Sequence, residues 1–247
     1  MLAEPSSVPE SMRPLVISMG DPAGIGPEII AKALTERPAL KHAVVIAGNL
    51  ATLETAALLV AKAGGSEPVL FWPIPTLERR GQVPEAHVAV LQACELPVRP
   101  EWGVVSAQAG KAAAECIRVG AGAVLSGAAC GLVTAPIHKE SLALAGVEHP
   151  GHTEYLQALS AAHLGVSVQE LPVRMMLSSP DLRTVLVSIH VSLRNALDAV
   201  TTDRVASTIR ITYEHFRRLG WNSLRIGVSG LNPHAGRGGC LVARKLR

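Results

Sequence analysis

Residues 15–28, Leu15-Val-Ile-Ser-Met-Gly-Asp-Pro-Ala-Gly-Ile-Gly-Pro-Glu28, decide the fold class. The first five are apolar or small on both faces, as a strand buried between helix layers must be. Gly20 to Gly26 follow as a glycine-rich turn, and Pro27 suits the first turn of a helix, where its missing N–H costs nothing. A strand that passes through such a turn into a helix is the building unit of α/β proteins with a parallel sheet. The pattern recurs along the chain. Strands are expected at 15–19, 43–47, 69–72, 87–91, 131–134, 174–178, 184–189 and 225–229. Helices are expected at 27–34, 50–63, 108–119, 153–163, 193–199 and 203–219. In the last helix Val205, Ile209, Tyr213 and Phe216 fall on one stripe. Residues 64–68 and 73–84 read as surface connections, and no internal repeat is visible.

Composition narrows the function. Of 247 residues, 48% are hydrophobic and 17% charged, against about 25% charged in an ordinary domain. This excludes a disordered chain, and 22 Gly with 17 Pro exclude a collagen-like one. A net charge of +3 and 3% aromatics leave neither a concentrated basic face nor base-stacking platforms, so no nucleic-acid partner is expected. No apolar run reaches the roughly 18–20 residues that cross a bilayer. The first eleven residues lack a basic segment followed by an apolar one and read as a loose tail rather than a signal peptide. Cys94, Cys116, Cys130 and Cys240 show no CxxC spacing and no disulfide-framework density, which points to a reducing compartment and a cytoplasmic protein.

Five motifs follow expected strands. Gly20-Asp21-Pro22-Ala23-Gly24-Ile25-Gly26-Pro27-Glu28 opens a helix, whose N-terminus favours an anion. Its GxxxGxG spacing is neither the dinucleotide fingerprint nor a phosphate-binding P-loop, and a tight strand-to-helix turn accounts for it equally well. Thr134-Ala135-Pro136-Ile137-His138-Lys139 closes a strand, and Lys139 there serves either as a point charge for a phosphate or carboxylate or as an ordinary loop lysine. In Pro150-Gly151-His152-Thr153-Glu154, His152 projects from a helix N-terminus and could donate to an anion, or sit in a mere capping turn. Ser188-Ile189-His190 and Leu231-Asn232-Pro233-His234-Ala235-Gly236 place two histidines at the carboxyl ends of two strands. Imidazole is the commonest metal ligand, and two lack one protein ligand for an open catalytic site. His149 reads as a surface residue, and His42, His87, His163 and His215 carry no assigned role.

Taken together, the strings GDPAGIGPE, TAPIHK, PGHTE, RMMLSSPDLRTVLVSIHVSL and LNPHAG resemble the 4-hydroxythreonine-4-phosphate dehydrogenase family of pyridoxal phosphate (vitamin B6) biosynthesis, from about Pro14 to Gly239. The resemblance implies an α/β, two-domain fold like that of isocitrate and isopropylmalate dehydrogenases. A loose tail would occupy 1–12, a first domain 13–135, a second 136–239, and 240–247 would be a tail foreign to the family. It implies a homodimer with the active site at the subunit interface and a small phosphorylated substrate. The implied reaction is NAD- or NADP-dependent oxidation of 4-phosphooxy-L-threonine to 2-amino-3-oxo-4-phosphooxybutanoate, which decarboxylates to 3-amino-2-oxopropyl phosphate. A divalent metal (Zn, Mg or Co) would polarise the reacting oxygens. By motif, His152 and Thr153, with Lys139, would contact substrate, and His190 and His234 would be two of three metal ligands. Family members continue past LNPHAG into a His-Asp-Gln-Gly segment carrying the third ligand. The resemblance therefore implies a chain shortened at its C-terminal part, with impaired activity. Two other readings stand beside it: a paralogous dehydrogenase of a four-carbon sugar-acid phosphate or dihydrodiol carboxylate, and a non-catalytic fragment.

Overall fold

The computed structural model describes residues 13–231. The chain divides into two compact units between Leu171 and Pro172. The first contains β1 (Leu15–Ser18), α1 (Gly26–Glu36), β2 (Val44–Gly48), α2 (Leu50–Gly64), β3 (Leu70–Ile74), β4 (His87–Gln92), α3 (Ala107–Leu125), β5 (Gly131–Thr134), α4 (Lys139–Leu144) and α5 (His152–Leu164). Its five strands form one sheet in the order β3-β4-β2-β1-β5, and every pairing is parallel. Residues 73 and 74, expected in a connection, extend β3; this strand lies at the sheet edge, where a proline's missing donor is tolerated.

The register sorts side chains between the two faces. Ile17 lies beside Ile46 and Ile46 beside Val90, and these pack with Ile30 and Leu34 of α1 and Leu53 and Val60 of α2. Val16 lies beside Val45 and Val45 beside Ala89 on the opposite face, which α3 covers through Val119 and Ala123. Burial on both sides explains the unbroken apolar run of β2, all five residues of which are buried. Asn49 caps α2: its Oδ1 accepts from the Thr52 N–H and hydroxyl, both at 3.0 Å, while its Nδ2 donates to the Cys94 carbonyl at 3.2 Å.

The division between the units falls later than the boundary expected near residue 135. After β5 the chain does not leave the sheet domain, because α4 and α5 both pack on α3. At Gly110 the backbones touch: a Cβ there would overlap the Ser141 carbonyl.

The second unit contains β6 (Met176–Ser178), β7 (Arg183–Val185), α6 (Leu193–Ala199) and α7 (Thr202–Arg218). Its strands pair antiparallel, where further parallel strands were expected at 174–178 and 184–189. The cause is the short Ser179–Leu182 connection. The Ser179 N–H donates to the Leu182 carbonyl at 2.8 Å and the Leu182 N–H to the Ser179 hydroxyl at 3.1 Å. So tight a turn can join only antiparallel neighbours. Residues 186–189 and 225–229 form no ladder among the described residues, so the strands expected there are shorter or missing. Arg174 bonds the Thr208 and Ser207 hydroxyls of α7 at 2.7 and 3.2 Å. Arg183 lies over the Phe216 and Trp221 rings.

Candidate functional site

β1 and β5 are neighbours, with Ser18 beside Thr134. From β1 the chain runs into α1, on the face of the sheet that Ile17 and Ile46 share. From β5 it runs into α4, which packs on α3 at the other face. Connections that leave adjacent parallel strands toward opposite faces open a crevice at their carboxyl ends, where α/β proteins bind ligands.

The two strand-end loops are joined to each other. The Asp21 N–H donates to the Pro136 carbonyl at 2.9 Å. The buried Asp21 carboxylate turns inward and accepts from the Ala23 N–H at 2.8 Å. Gly20 has φ +76, and a Cβ on it would overlap the Pro136 carbonyl oxygen. A Cβ on Gly26 would overlap the Met19 carbonyl and lie 3.3 Å from the Ala135 Cβ. A third segment joins them, since the Gly103 N–H donates to the Ala23 carbonyl at 2.8 Å.

The PGHTE motif meets this floor through His152. Its ring is half-buried beside the Ala135 backbone, and Nε2 is buried without a partner among the described residues. Burial pushes the imidazole below its ordinary pKa, and the Ala135 backbone opposes that shift. Lys139 is exposed, with its Cε 4.0 Å from where a Gly151 Cβ would stand. Thr153 follows in the first turn of α5 and is half-buried.

Helix capping singles out the same place. α2, α3, α4, α6 and α7 have side-chain caps from Asn49, Ser106, His138, Ser192 and Thr201. α1 and α5 have none. These are the helices opened by GDPAGIGPE and PGHTE, so the first-turn N–H groups without a side-chain acceptor belong to the motif helices. Glu28 and Glu154 lie in those first turns. Glu28 is paired to Lys32 at 2.6 Å.

The structure thus brings Gly20–Gly26, Lys139, His152 and Thr153 together within the first unit. His190 belongs to the second unit, where it is exposed with a left-handed backbone, φ 56. His234 lies outside the described residues. No group of three His, Cys, Asp or Glu side chains suited to a metal occurs among the described residues. His138 carries no free role either, since its Nδ1 accepts from the Ser141 N–H at 3.4 Å as the cap of α4. Sequence reasoning missed Asp21 and the Gly103 contact. The Asp-Pro pair was a legible turn signal for the first; the second depends on a long-range contact.

These features define an α/β protein in which, at the carboxyl ends of two adjacent parallel strands, the strand-end loops meet a half-buried imidazole and helices without side-chain N-caps. The chain belongs to the family described as pyridoxal phosphate biosynthetic protein PdxA, whose model matches residues 39–243. It is 41% identical over 234 residues to 4-hydroxythreonine-4-phosphate dehydrogenase of Beijerinckia indica, covering 95% of this chain and 65% of the relative. It is 38% identical to D-threonate 4-phosphate dehydrogenase of Salmonella typhimurium over 225 residues, 91% of this chain and 65% of that one. A crystal structure of 4-hydroxythreonine-4-phosphate dehydrogenase from Klebsiella pneumoniae superposes with a TM-score of 0.76 at 34% identity, covering 92% of this chain and 65% of that chain. The chain therefore spans about two-thirds of the length of these relatives. No helix among the described residues is long and apolar enough to cross a membrane.

Proposed function

We propose that the protein is an NAD(P)- and metal-dependent dehydrogenase of a small phosphorylated substrate, acting on 4-phosphooxy-L-threonine in pyridoxal phosphate biosynthesis. The product would be 2-amino-3-oxo-4-phosphooxybutanoate, which loses CO2 to give 3-amino-2-oxopropyl phosphate. The observation that carries this reading is the pairing of two uncapped helix N-termini with the unpartnered Nε2 of His152, in a chain of this family. N-terminal N–H groups and an imidazole complement a phosphate.

The chain's own residues bind and orient. His152 offers a buried, unpartnered Nε2, Lys139 adds a point charge beside Gly151, and Thr153 offers a hydroxyl in the first turn of α5. Gly20 and Gly26 let the two loops close on each other without side chains between them. Bound NAD or NADP supplies the hydride acceptor and a divalent ion (Zn, Mg or Co) the Lewis acid. Among this chain's residues the reading gives the metal His190 and His234 and assigns none to the nucleotide. A homodimer in the cytoplasm completes it.

D-threonate 4-phosphate is the second substrate to test, because relatives named for it match nearly as well as those named for the threonine derivative. Calorimetry should show the purified protein binding 4-phosphooxy-L-threonine or D-threonate 4-phosphate well above the unphosphorylated alcohol. Substrate-dependent reduction of NAD or NADP on the same sample reads the redox half. Equal binding of alcohol and phosphate would refute the phosphate site.

A further inference from the structure

We propose that Cys94 and Cys116 are a peroxide-oxidisable dithiol, a modification site at which the two thiols close to a disulfide. Their sulfurs lie 3.9 Å apart. A disulfide needs about 2.05 Å, so the sulfurs must approach by roughly 2 Å, a distance on the scale of a side-chain rotation. Cys94 lies beyond the end of β4 and outside the ladder, with its carbonyl held by the Asn49 and Gln92 amides, so the approach falls to rotation of its side chain. Cys116 is held in α3, fully buried.

The two thiols have different environments and so different roles. Cys94 is partly exposed and Cys116 is not. The hydrogen bond between them holds the Cys94 thiol below its ordinary pKa, while burial and the charges of Glu95 and Glu115 oppose that. The same bond, with burial, pushes the Cys116 thiol well up. Cys94, the thiol that solvent reaches, is the nucleophile, and Cys116, buried in α3, is the thiol that resolves it.

The chemistry balances with hydrogen peroxide as oxidant. The Cys94 thiolate attacks one peroxide oxygen, the O–O bond breaks and an S–O bond forms, giving a sulfenic acid. The displaced hydroxide takes up the proton lost from Cys94 and leaves as water. The Cys116 sulfur then attacks the Cys94 sulfur, the S–O bond breaks and the S–S bond forms. The second hydroxide leaves with the Cys116 proton as water. Two thiols are oxidised and one peroxide is reduced to two waters.

The pair lies under the crevice loops. Met19, next to Gly20, packs in the same buried cluster as Cys116. The Asn49 N–H donates to the Met19 sulfur at 3.5 Å, and the Asn49 side chain bonds the Cys94 carbonyl. Cys94 also begins the connection whose Gly103 reaches Ala23. A disulfide would pin the root of that connection to α3.

The test is peroxide treatment of the reduced 247-residue protein, followed by thiol titration under denaturing conditions and peptide mass mapping without reductant. The titre should fall from four thiols to two, with one peptide pair joining Cys94 to Cys116, and dithiothreitol should restore all four. In Cys116→Ala, oxidation should stop at a Cys94 sulfenic acid that dimedone traps. A Cys130→Ser/Cys240→Ser variant, which keeps the pair, should lose both remaining thiols and stay monomer-sized on non-reducing gels. Cys116 remaining a free thiol while Cys94 proceeds to sulfinic or sulfonic acid would overturn the proposal. So would disulfides that join Cys94 to Cys130 or Cys240 instead.

Discussion

The Asp21 backbone N–H donates to the Pro136 carbonyl at 2.9 Å, and Gly20 lies so close beneath that carbonyl that no side chain fits. The loops after β1 and β5 are thus fastened by backbone alone. Gly20→Ala would put a methyl group into the Pro136 oxygen at a left-handed φ of +76. The left-handed conformation costs about 1–2 kcal/mol, and a backbone clash adds to it, so a loss of about 2–4 kcal/mol is expected. Urea unfolding should show a lower midpoint at an unchanged slope. A loss under 1 kcal/mol would mean that the two loops separate easily.

Two glycines of α3 should respond in opposite senses. A Cβ on Gly110 would overlap the backbone of Ser141, whereas one on Gly122 meets nothing within 4 Å. Gly122→Ala should stabilise the protein by about 0.5–1 kcal/mol through reduced backbone freedom of the unfolded chain. Gly110→Ala should destabilise it by about 1–3 kcal/mol, because α4 must move away from α3. Thermal melts of the two variants beside wild type decide this, and equal shifts would contradict the close approach.

His152 makes stability depend on pH. Its folded pKa is depressed below the ordinary 6.5, first by burial. Well above pH 6.5 the imidazole is neutral in both states and contributes no pH dependence. As pH falls from 6.5 through the folded pKa, the unfolded chain takes up a proton that the folded chain resists, and stability is lost. His152→Gln should therefore lose less stability than wild type between pH 7 and pH 5. Parallel denaturation curves across that window would show the ring to be solvated.

The first unit was legible in the sequence because its central strands are buried on both faces and helices lie between successive strands of the chain. Leu15–Ser18 and Val44–Gly48 show no alternation of polar and apolar residues that could suggest another period. The second unit was not, because its apolar residues lack the partners that turn a pattern into a ladder. Thr184 to Ile189 read as a mostly apolar, β-branched strand, yet only Arg183–Val185 pair, and that pairing follows the Ser179–Leu182 turn rather than a sheet core. At the site, motif order singled out His152 and Lys139 as candidates. It could not show that His152 is half-buried with Nε2 unpartnered, since that depends on α5 packing against α3.

That ring makes anion binding depend on protonation. The depressed pKa favours a neutral ring, in which one nitrogen is an acceptor, and Nε2 is the nitrogen buried without a partner. A phosphate dianion needs a donor there, so binding should raise the imidazole's depressed pKa and take up a proton. Affinity for a phosphorylated ligand should then fall as pH rises above the folded pKa. The ligand's own second ionisation, near pH 6, works in the opposite direction, so the comparison is with His152→Gln, which binds without titrating. The ratio of wild-type to variant affinity should be largest near pH 6 and shrink toward pH 8. At pH 6 the loss on substitution should be about 1.5–3 kcal/mol, the range for a hydrogen bond to a charged group, or roughly 10- to 100-fold in Kd. Calorimetry in two buffers of different ionisation enthalpy reads the proton uptake directly. Binding without proton uptake, at a ratio independent of pH, would remove His152 from the phosphate site.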